Sequence, residues 1–268
     1  MAGRLEGQVA IVTGAGRGFG RAIAAGLGAE GAAVALVART APQIEAAAGQ
    51  LRAAGGRALA VPADVTAATD VARVVRDTER QLGAPTLLVS NAGVPGPFGP
   101  IWSVDADAWW AAQRLHILAP LLLLQAVLPG MTARGAGRVI IVSAIASRMA
   151  APYLSAYCVG KIAQTRIAEE AALEARAHGV SVFAIDPGFV FTALAEETML
   201  SPQAQRWLPG MVGRLRQKAA APDRDADLAR CARRCVELAS GRYDALSGGY
   251  FELDDDLDAR LRAAGAPH

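Results

Sequence analysis

The sequence contains few residues of the types that bind metals or form disulfide bridges. Among its 268 residues there are only 3 cysteines and 3 histidines. Cys158, Cys231 and Cys235 cannot make the even-numbered framework of a disulfide-rich domain, and no histidine lies near them at the spacing of a metal site. Cys231 and Cys235 could share one helix face, which is more typical of ordinary packing than of a metal. We therefore predict no metal site.

The chain also lacks a charge excess and a long apolar run. Its 27 Lys and Arg are scattered among 25 Asp and Glu, so nucleic acid is not an expected partner. No charged segment followed by an apolar run opens the chain, as a signal peptide would. The most apolar stretch, 117–131, is interrupted by Pro120, Gln125 and Pro129 and is shorter than the roughly 20 residues that cross a bilayer. These absences predict a soluble, cytoplasmic protein without a membrane partner.

Hydrophobic residues are abundant and follow an alternating pattern. They make up 53% of the chain, enough for one large core. Short runs rich in β-branched residues alternate with longer segments of helical periodicity, which predicts a doubly wound, Rossmann-like α/β fold with about seven parallel strands and helices on both faces. The predicted strands are 9–13, 33–37, 58–61, 87–90, 138–143, 180–185 and 249–253, and the main predicted helices are 20–30, 41–54, 67–82, 106–133 and 157–178.

No repeat or long linker divides the chain, so we predict a single domain over residues 1–268. Two segments fall outside the regular alternation, a Pro/Gly loop at 94–100 and the stretch 193–222. Both follow strands on the side where such sheets bind ligands, so both could border a substrate pocket. The residues after the last strand, 254–268, form a tail that either reaches a neighbouring subunit or frays.

Three motifs stand in a fixed order along this pattern. A glycine turn follows the first strand, and its glycines let the backbone approach a pyrophosphate at a helix N-terminus, although such a turn alone is often just a turn. Tyr157 and Lys161 are four residues apart and so are neighbours on a helix. With Asn91-Ala92-Gly93 between them, these motifs resemble the classical short-chain dehydrogenases/reductases over about residues 5–253. The turn comprises Thr13, Gly14, Ala15, Gly16, Arg17, Gly18, Phe19 and Gly20.

The resemblance implies a nicotinamide dinucleotide cofactor, and the end of the second strand predicts which one. An acidic residue there would bond the ribose 2′-hydroxyl and repel a 2′-phosphate, but this chain has Ala38 followed by Arg39. A guanidinium suits a phosphate, and Arg17 could supply a second one. We predict NADP(H), with NAD(H) possible if Arg39 stacks on adenine or points into solvent.

Several further positions match cofactor-binding residues of the family. Asp64 and Val65 stand where the family contacts adenine, although Asp64 would also serve as a helix cap. Asn91-Ala92-Gly93 corresponds to the element that borders the ribose. The family's nicotinamide-closing element is matched by Pro187, Gly188, Val190 and Thr192.

The proton chemistry is predicted from Tyr157 and Lys161. A carbonyl that accepts a hydride needs a proton on oxygen, and a Tyr phenol can donate it if a neighbouring cation lowers its pKa. The resemblance implies that Lys161 is this cation and that it also forms a hydrogen bond with the nicotinamide ribose. An isolated pair of this kind is usually only a surface Tyr and Lys; the surrounding motifs favour the catalytic interpretation.

Two family positions depart from the pattern. The catalytic serine normally stands thirteen residues before the tyrosine, where this chain has Ala144. Ser143 could take its place only through a bulge, because adjacent strand residues point to opposite faces. His116, seven residues after Trp109, replaces the family's asparagine. It is either part of a proton relay through water or a buried, hydrogen-bonded histidine without that role.

The resulting prediction is an oxidoreductase that interconverts a ketone and a secondary alcohol. Apolar residues in 193–222 favour a hydrophobic or cyclic small-molecule substrate, unless they only pack a surface helix. The altered serine and asparagine positions leave open a weakly active cofactor-binding subunit or sensor, or a dehydratase or epimerase on the same fold. The family resemblance also implies a homodimer or homotetramer. The apolar residues are Leu194, Met199, Leu200, Trp207, Leu208, Met211 and Val212.

Overall fold

The computed structural model describes residues 3–222 and 226–265 of the chain. Its centre is a parallel sheet of 7 strands in the order β3-β2-β1-β4-β5-β6-β7, which confirms the predicted fold class. The strands begin and end within two residues of the predicted bounds. They are β1 Val9–Thr13, β2 Ala33–Ala38, β3 Ala58–Pro62, β4 Leu87–Ser90, β5 Gly137–Val142, β6 Val180–Ile185 and β7 Tyr250–Phe251.

Helices cover both faces of the sheet, which is why the strands are continuous hydrophobic runs rather than alternating ones. One face is covered by α1, α2, α10 and α11, whose apolar side chains meet those of β1, β2 and β4. The other is covered by α3, α5 and α6. The helices are α1 Gly18–Ala29, α2 Ala41–Ala53, α3 Ala68–Gln81, α4 Ala106–Gln113, α5 Ala119–Arg134, α6 Ser155–Ala175, α7 Ala193–Leu200, α8 Pro202–Trp207, α9 Pro209–Ala220, α10 Ala226–Ala239 and α11 Leu257–Ala263.

The predicted helix 106–133 is not a regular helix. A π-helical turn, Arg114–Leu118, separates α4 from α5 and contains His116. Such turns are single-residue insertions that often occur at functional sites. The stretch Ala106–Arg134 is apolar and long enough to cross a membrane by length and composition. That is weak evidence, because Leu123, Val127 and Met131 are buried against the sheet as in any core helix.

The C-terminal part of the chain is more ordered than the sequence pattern predicts. Cys231 and Cys235 are fully buried on α10 within the core, which is the packing role considered for them. Leu257 and Leu261 of α11 pack into the same core. The described part of the predicted tail 254–268 is therefore folded back onto the domain, and its last three residues lie outside the described chain.

The strand order reverses between β1 and β4, which neighbour each other although they are not consecutive. In doubly wound sheets a crevice opens at this point, beyond the carboxyl ends of the strands. The loops that follow β1 and β4 begin with the glycine turn and with Asn91. The fold thus brings two of the three sequence motifs to one edge of the sheet.

Candidate active site

The glycine turn and the Asn91 loop are joined by hydrogen bonds at the sheet edge. Thr13 Oγ1 accepts from the backbone N–H groups of Asn91 (2.9 Å) and Ala92 (3.1 Å). Asn91 Nδ2 donates to Thr13 O at 2.9 Å. A Cβ on Gly20 would lie 2.3 Å from Gly14 O, so the turn can close only with glycine there. These contacts make the turn rigid.

The turn leaves room and donors for a pyrophosphate. Gly14 and Gly18 have positive φ, 64° and 53°, and α1 begins at Gly18 without a side-chain cap on its first turn. Backbone N–H groups at such a helix end attract anions. A cleft of about 1620 Å³ opens directly over them. The residues present therefore fit a dinucleotide.

Most of the predicted cofactor residues line this cleft. They are Gly14, Arg17, Gly18, Phe19, Arg39, Asp64, Val65, Asn91, Ala92, Gly93, Tyr157, Lys161, Pro187 and Thr192. Gly20, Gly188 and Val190 stand behind the lining. Gly188 has a φ of 85° and its N–H donates to Asp186 Oδ1 at 3.0 Å, while Val190 is buried. Their contact with the cofactor stays a prediction.

Asp64 forms a turn of its own and does not cap α3. Its Oδ1 accepts from the Thr66 backbone N–H at 2.9 Å and from the Thr66 hydroxyl at 2.8 Å. The bond from the Thr66 backbone lowers the Asp64 pKa most, and the bond from the Thr66 hydroxyl lowers it further. The positive charge of Arg39 makes a smaller contribution in the same direction. The carboxylate is therefore ionised in the cleft wall, within the electrostatic reach of Arg39.

An ion pair links the glycine turn to α7. Arg17 Nη2 lies 2.7 Å from Glu197 Oε1, and both side chains are about half exposed at the rim. Thr192 begins α7, where its Oγ1 accepts from the Ala195 N–H at 3.3 Å. Arg17 thus holds α7 against the glycine turn through Glu197, while Thr192 caps the first turn of the same helix.

Lys161 is buried beneath the cleft and its ammonium is fixed by two acceptors. Nζ donates to Val142 O at 2.8 Å and to Gln164 Oε1 at 2.9 Å. It also lies 5.5 Å from the centre of the Tyr157 ring. Burial lowers the Lys161 pKa to about 7, opposed by the negative charge of Asp186. The lysine is therefore close to its titration point at neutral pH.

The Tyr157 pKa differs from the expectation. Burial raises it above its ordinary value, and the charge of Asp186 raises it further. The predicted lowering by Lys161 is not seen, because burial, which removes the phenolate from water, has the largest effect on the Tyr157 pKa. Tyr157 is consequently held in its protonated form, the form that donates a proton.

Ser143 is in the lining of the cleft together with Tyr157 and Lys161, but its hydroxyl is hydrogen-bonded to α6. Its N–H donates to Ile185 O at 2.8 Å, and the pairing of β5 with β6 up to Val142 is regular, with no bulge. Its Oγ bonds Lys161 O at 3.0 Å and Thr165 Oγ1 at 2.8 Å. Ala144 instead packs beside Tyr157 and Cys158. The bulge that the serine role would require is absent from this strand.

His116 is a buried, uncharged histidine. Its Nε2 donates to Val94 O at 2.8 Å, so that nitrogen carries the proton and Nδ1 is an acceptor. Nδ1 is buried without a hydrogen-bond partner among the described residues. Burial, with help from the Lys161 charge, lowers the His116 pKa to about 3. The ring stands edge-on to Tyr157 with centroids 5.8 Å apart, behind the cleft wall rather than in it.

The part of the cleft lined by the 94–100 loop, α4, α7 and α8, here called the chamber, has both apolar and charged side chains, the latter including Asp105, Arg114 and Arg206. Phe98, Trp207 and Leu194 are in its wall, whereas Met199, Leu208, Met211 and Val212 pack on one another and on Phe98. Most apolar residues of 193–222 therefore form the segment's own small core. Leu200 is exposed.

One strained residue supports the chamber. Tyr153 has a φ of 66°, a left-handed conformation that is unusual outside glycine. Its ring lies against that of Trp207, with centroids 5.2 Å apart. Gly99 N donates to Tyr153 O at 3.0 Å, which links the 94–100 loop to the start of α6. Strain of this kind tends to occur beside functional sites.

Sequence reasoning missed Gln164, which touches Lys161 directly. A glutamine on the inward face of α6, three residues after the lysine, is the signal that could have identified it. It also missed Asp186, whose charge acts on both Tyr157 and Lys161. The position of Asp186, directly after β6, was the available signal.

Comparison with known proteins agrees with this geometry. The family model described as short chain dehydrogenase matches residues 8–202. The chain is 33% identical to 2-(S)-hydroxypropyl-CoM dehydrogenase 3 of Xanthobacter autotrophicus, over 97% of this chain and 100% of that protein. It is 32% identical to cis-4-hydroxycyclohexanecarboxylate dehydrogenase of Sinomonas cyclohexanicum, over 91% and 96%.

Among solved structures, NAD⁺-bound xylitol dehydrogenase superimposes with a TM-score of 0.82 at 26% identity, covering 92% of this chain and 98% of that one. The shared fold and the family match over most of the length agree. The chain therefore belongs to the short-chain dehydrogenase family and is an NAD(P)-dependent oxidoreductase that acts on CH–OH groups.

Proposed function

We propose that this chain is an NADP(H)-dependent reductase and dehydrogenase that interconverts a ketone and a secondary alcohol, with Tyr157 as the general acid and base. The observation that carries the proposal is the position of Tyr157 and Lys161 in the wall of the cleft that opens over the glycine turn. The direct test is a panel of cyclic and aromatic ketones with NADPH, followed by cofactor oxidation. No turnover with any ketone, and none with the alcohols in reverse, would contradict it.

The chain's own residues account for the proton in this reaction. The cofactor, when bound, supplies or accepts the hydride. Tyr157 donates its proton to the carbonyl oxygen during reduction, and its raised pKa keeps it protonated at neutral pH. Lys161, held behind the ring, supplies the positive charge that stabilises the tyrosinate left behind. Running in reverse, the tyrosinate takes a proton from the alcohol.

The preference for NADP(H) rests on Ala38 and Arg39. Ala38 ends β2 without a carboxylate, and Arg39 follows it in the cleft wall. Arg17 is the second candidate cation, although one of its nitrogens is engaged with Glu197. Arg39 is therefore proposed to make most of the contacts with the 2′-phosphate.

The substrate is proposed to be hydrophobic or cyclic. Phe98 and Trp207 give one side of the chamber an apolar surface, and apolar surfaces in a pocket favour such ligands. The Sinomonas relative is named for a hydroxylated cyclohexane ring, which supports a cyclic substrate here. Segment 193–222 would cover it.

The absence of a serine at position 144 gives a prediction. Ala144→Ser would add a donor beside Tyr157, and a well-placed oxyanion donor is worth roughly 3 to 4 kcal/mol in the transition state. We expect a smaller gain, about tenfold at most in kcat for ketone reduction, because the pocket does not orient the new hydroxyl. Ser143→Ala should instead lower the melting temperature, through lost buried hydrogen bonds, and change kcat little. A crippled Ser143→Ala enzyme with a normal melting temperature would assign the serine role to Ser143.

Association into a homodimer or homotetramer through α5 and α6 is also proposed. Four large apolar side chains on these helices are exposed: Leu121 44%, Val159 41%, Ile162 51% and Leu173 71%. We expect Ile162→Glu to lower the molar mass measured by light scattering, because a carboxylate would be buried in the contact. Ile101→Glu, at a comparably exposed loop position, is the control. A wild-type protein that is monomeric at all concentrations would refute the proposal.

A further inference from the structure

A buried glutamine lies against the lysine of the proton-transfer pair. Gln164 is 1% exposed on the inward face of α6, and its Oε1 is 2.9 Å from Lys161 Nζ. Because an ammonium only donates, the amide must present its oxygen to the lysine. Its Nε2 is left buried without a partner among the described residues. Burial of an unpaired amide N–H is unfavourable, so the contact with Lys161 is maintained against that cost.

The geometry leaves one direction free at the ammonium. Lysine has three N–H donors, and two are taken by Gln164 Oε1 and by Val142 O at 2.8 Å. The Val142 carbonyl belongs to the sheet and is fixed in place. The Tyr157 ring lies on the cleft side, 5.5 Å from Nζ. The third N–H donor has no acceptor among the described residues, and Lys161 is part of the cleft lining, so this donor is available to a ligand in the cleft.

We propose that Gln164 is a positioning residue, whose side-chain carbonyl holds the Lys161 ammonium charged and aimed at the cleft. The catalytic effect of Gln164 rests on the proposed function, whereas the hydrogen bond between Gln164 and Lys161 does not depend on it. Three other titratable groups face the lysine: Tyr157 on α6, Asp186 after β6 and His116 on the π-helical turn. His116 is neutral and Tyr157 protonated, so the groups that favour the ammonium are Asp186, the Val142 carbonyl and Gln164.

The sign of the effect follows from this arrangement. The Lys161 pKa is already lowered to about 7 by burial, so the charge is lost as the pH rises through neutrality. Gln164→Met keeps the length of the side chain and removes the acceptor, so the ammonium should be lost at a lower pH. Gln164→Glu adds a negative charge at the same place, so the ammonium should persist to a higher pH. A hydrogen bond to a charged group corresponds to a shift of about one pH unit in each direction.

The experiment compares both variants with wild type over pH 5 to 10, a range of about five units around the lysine titration. The first readout is the pH midpoint at which kcat/KM for ketone reduction falls. The second is the Cε chemical shift of Lys161 in the whole protein, assigned with Lys161→Met. Gln113→Met is the matched control, because Gln113 is equally buried on α4 but donates to Ala156 O at 2.9 Å instead.

Opposite shifts for the two Gln164 variants, with an unmoved midpoint for Gln113→Met, support the proposal. Unchanged Lys161 titration in both variants overturns it, and so does a shift in the same direction for all three, which a general loss of packing would produce. The Cε titration needs no turnover. If wild type reduces no ketone, the proposed function fails while the role of Gln164 is still decided.

Discussion

Tyr157→Phe is expected to lower kcat for ketone reduction by about 10²- to 10⁴-fold, the usual contribution of a positioned general acid. The substitution removes only the hydroxyl and keeps the ring that packs beside Ala144 and His116. The fold and the affinity for NADPH should therefore remain within about twofold of wild type, because the interactions of the glycine turn are untouched. Stopped-flow measurement of NADPH oxidation and a fluorescence titration of NADPH binding check the two parts separately.

Tyr243→Phe is the matched control for this prediction. Tyr243 is buried, and its hydroxyl donates to Asp258 Oδ1 at 2.9 Å, away from the cleft. The control should lose about 1 kcal/mol of unfolding free energy with its hydrogen bond and keep its turnover. Full activity in Tyr157→Phe would mean that another group protonates the carbonyl.

The expected loss is tied to the unusual surroundings of Tyr157. In this chain the phenol has no serine beside it and its pKa is raised by burial and by Asp186. Because the phenol is protonated at neutral pH, the proposed reduction begins from the form that donates the proton. The oxidative direction requires the tyrosinate, whose stabilisation falls to Lys161. In the proposed reaction Lys161 is therefore important in both directions, because reduction and oxidation pass through the same transition state.

The central sheet was predictable because both of its faces are covered by helices. Val9–Thr13 and Val180–Ile185 are wholly buried, so each appears in the sequence as a mostly apolar run, with Thr13 and Ser181 as the polar exceptions. The π-helical turn at Arg114–Leu118 was not predictable, because one inserted residue barely alters the hydrophobic period of a long helix. The predicted single helix over 106–133 was accordingly too regular.

The candidate site was predictable where a motif fixes the backbone. Gly14 and Gly20 belong to such a motif, and the structure gives both a tight steric reason. The hydrogen-bond partners of Ser143 and the contact of Gln164 with Lys161 were not predictable, because they depend on which face of β5 meets α6. Tyr153 shows the same limit: a positive φ in a residue other than glycine arises from tertiary packing, here against Trp207.

The double variant Ala38→Asp/Arg39→Ala is expected to reverse the cofactor preference. The new carboxylate would stand at the end of β2, where the family's NAD-binding members bond the ribose hydroxyls, and it would repel a 2′-phosphate. The lost guanidinium contributes charge-assisted hydrogen bonds of about 1.5 to 3 kcal/mol each. The Kd for NADPH should therefore rise on the order of 10²-fold, while the Kd for NADH holds or falls.

Two single variants separate the contributions to this change. Arg17→Ala should weaken NADPH binding less than Arg39→Ala, because Arg17 is already paired with Glu197 at 2.7 Å. Arg76→Ala, an exposed position on α3, controls for the loss of one positive charge at a distance and should leave the NADPH to NADH ratio unchanged. If Arg17→Ala proved the more damaging, the ion pair with Glu197 would have to open when the cofactor binds, and α7 would move with it. A wild-type enzyme that already prefers NADH would instead mean that Arg39 stacks on the adenine, and that the missing carboxylate at position 38 does not decide the cofactor.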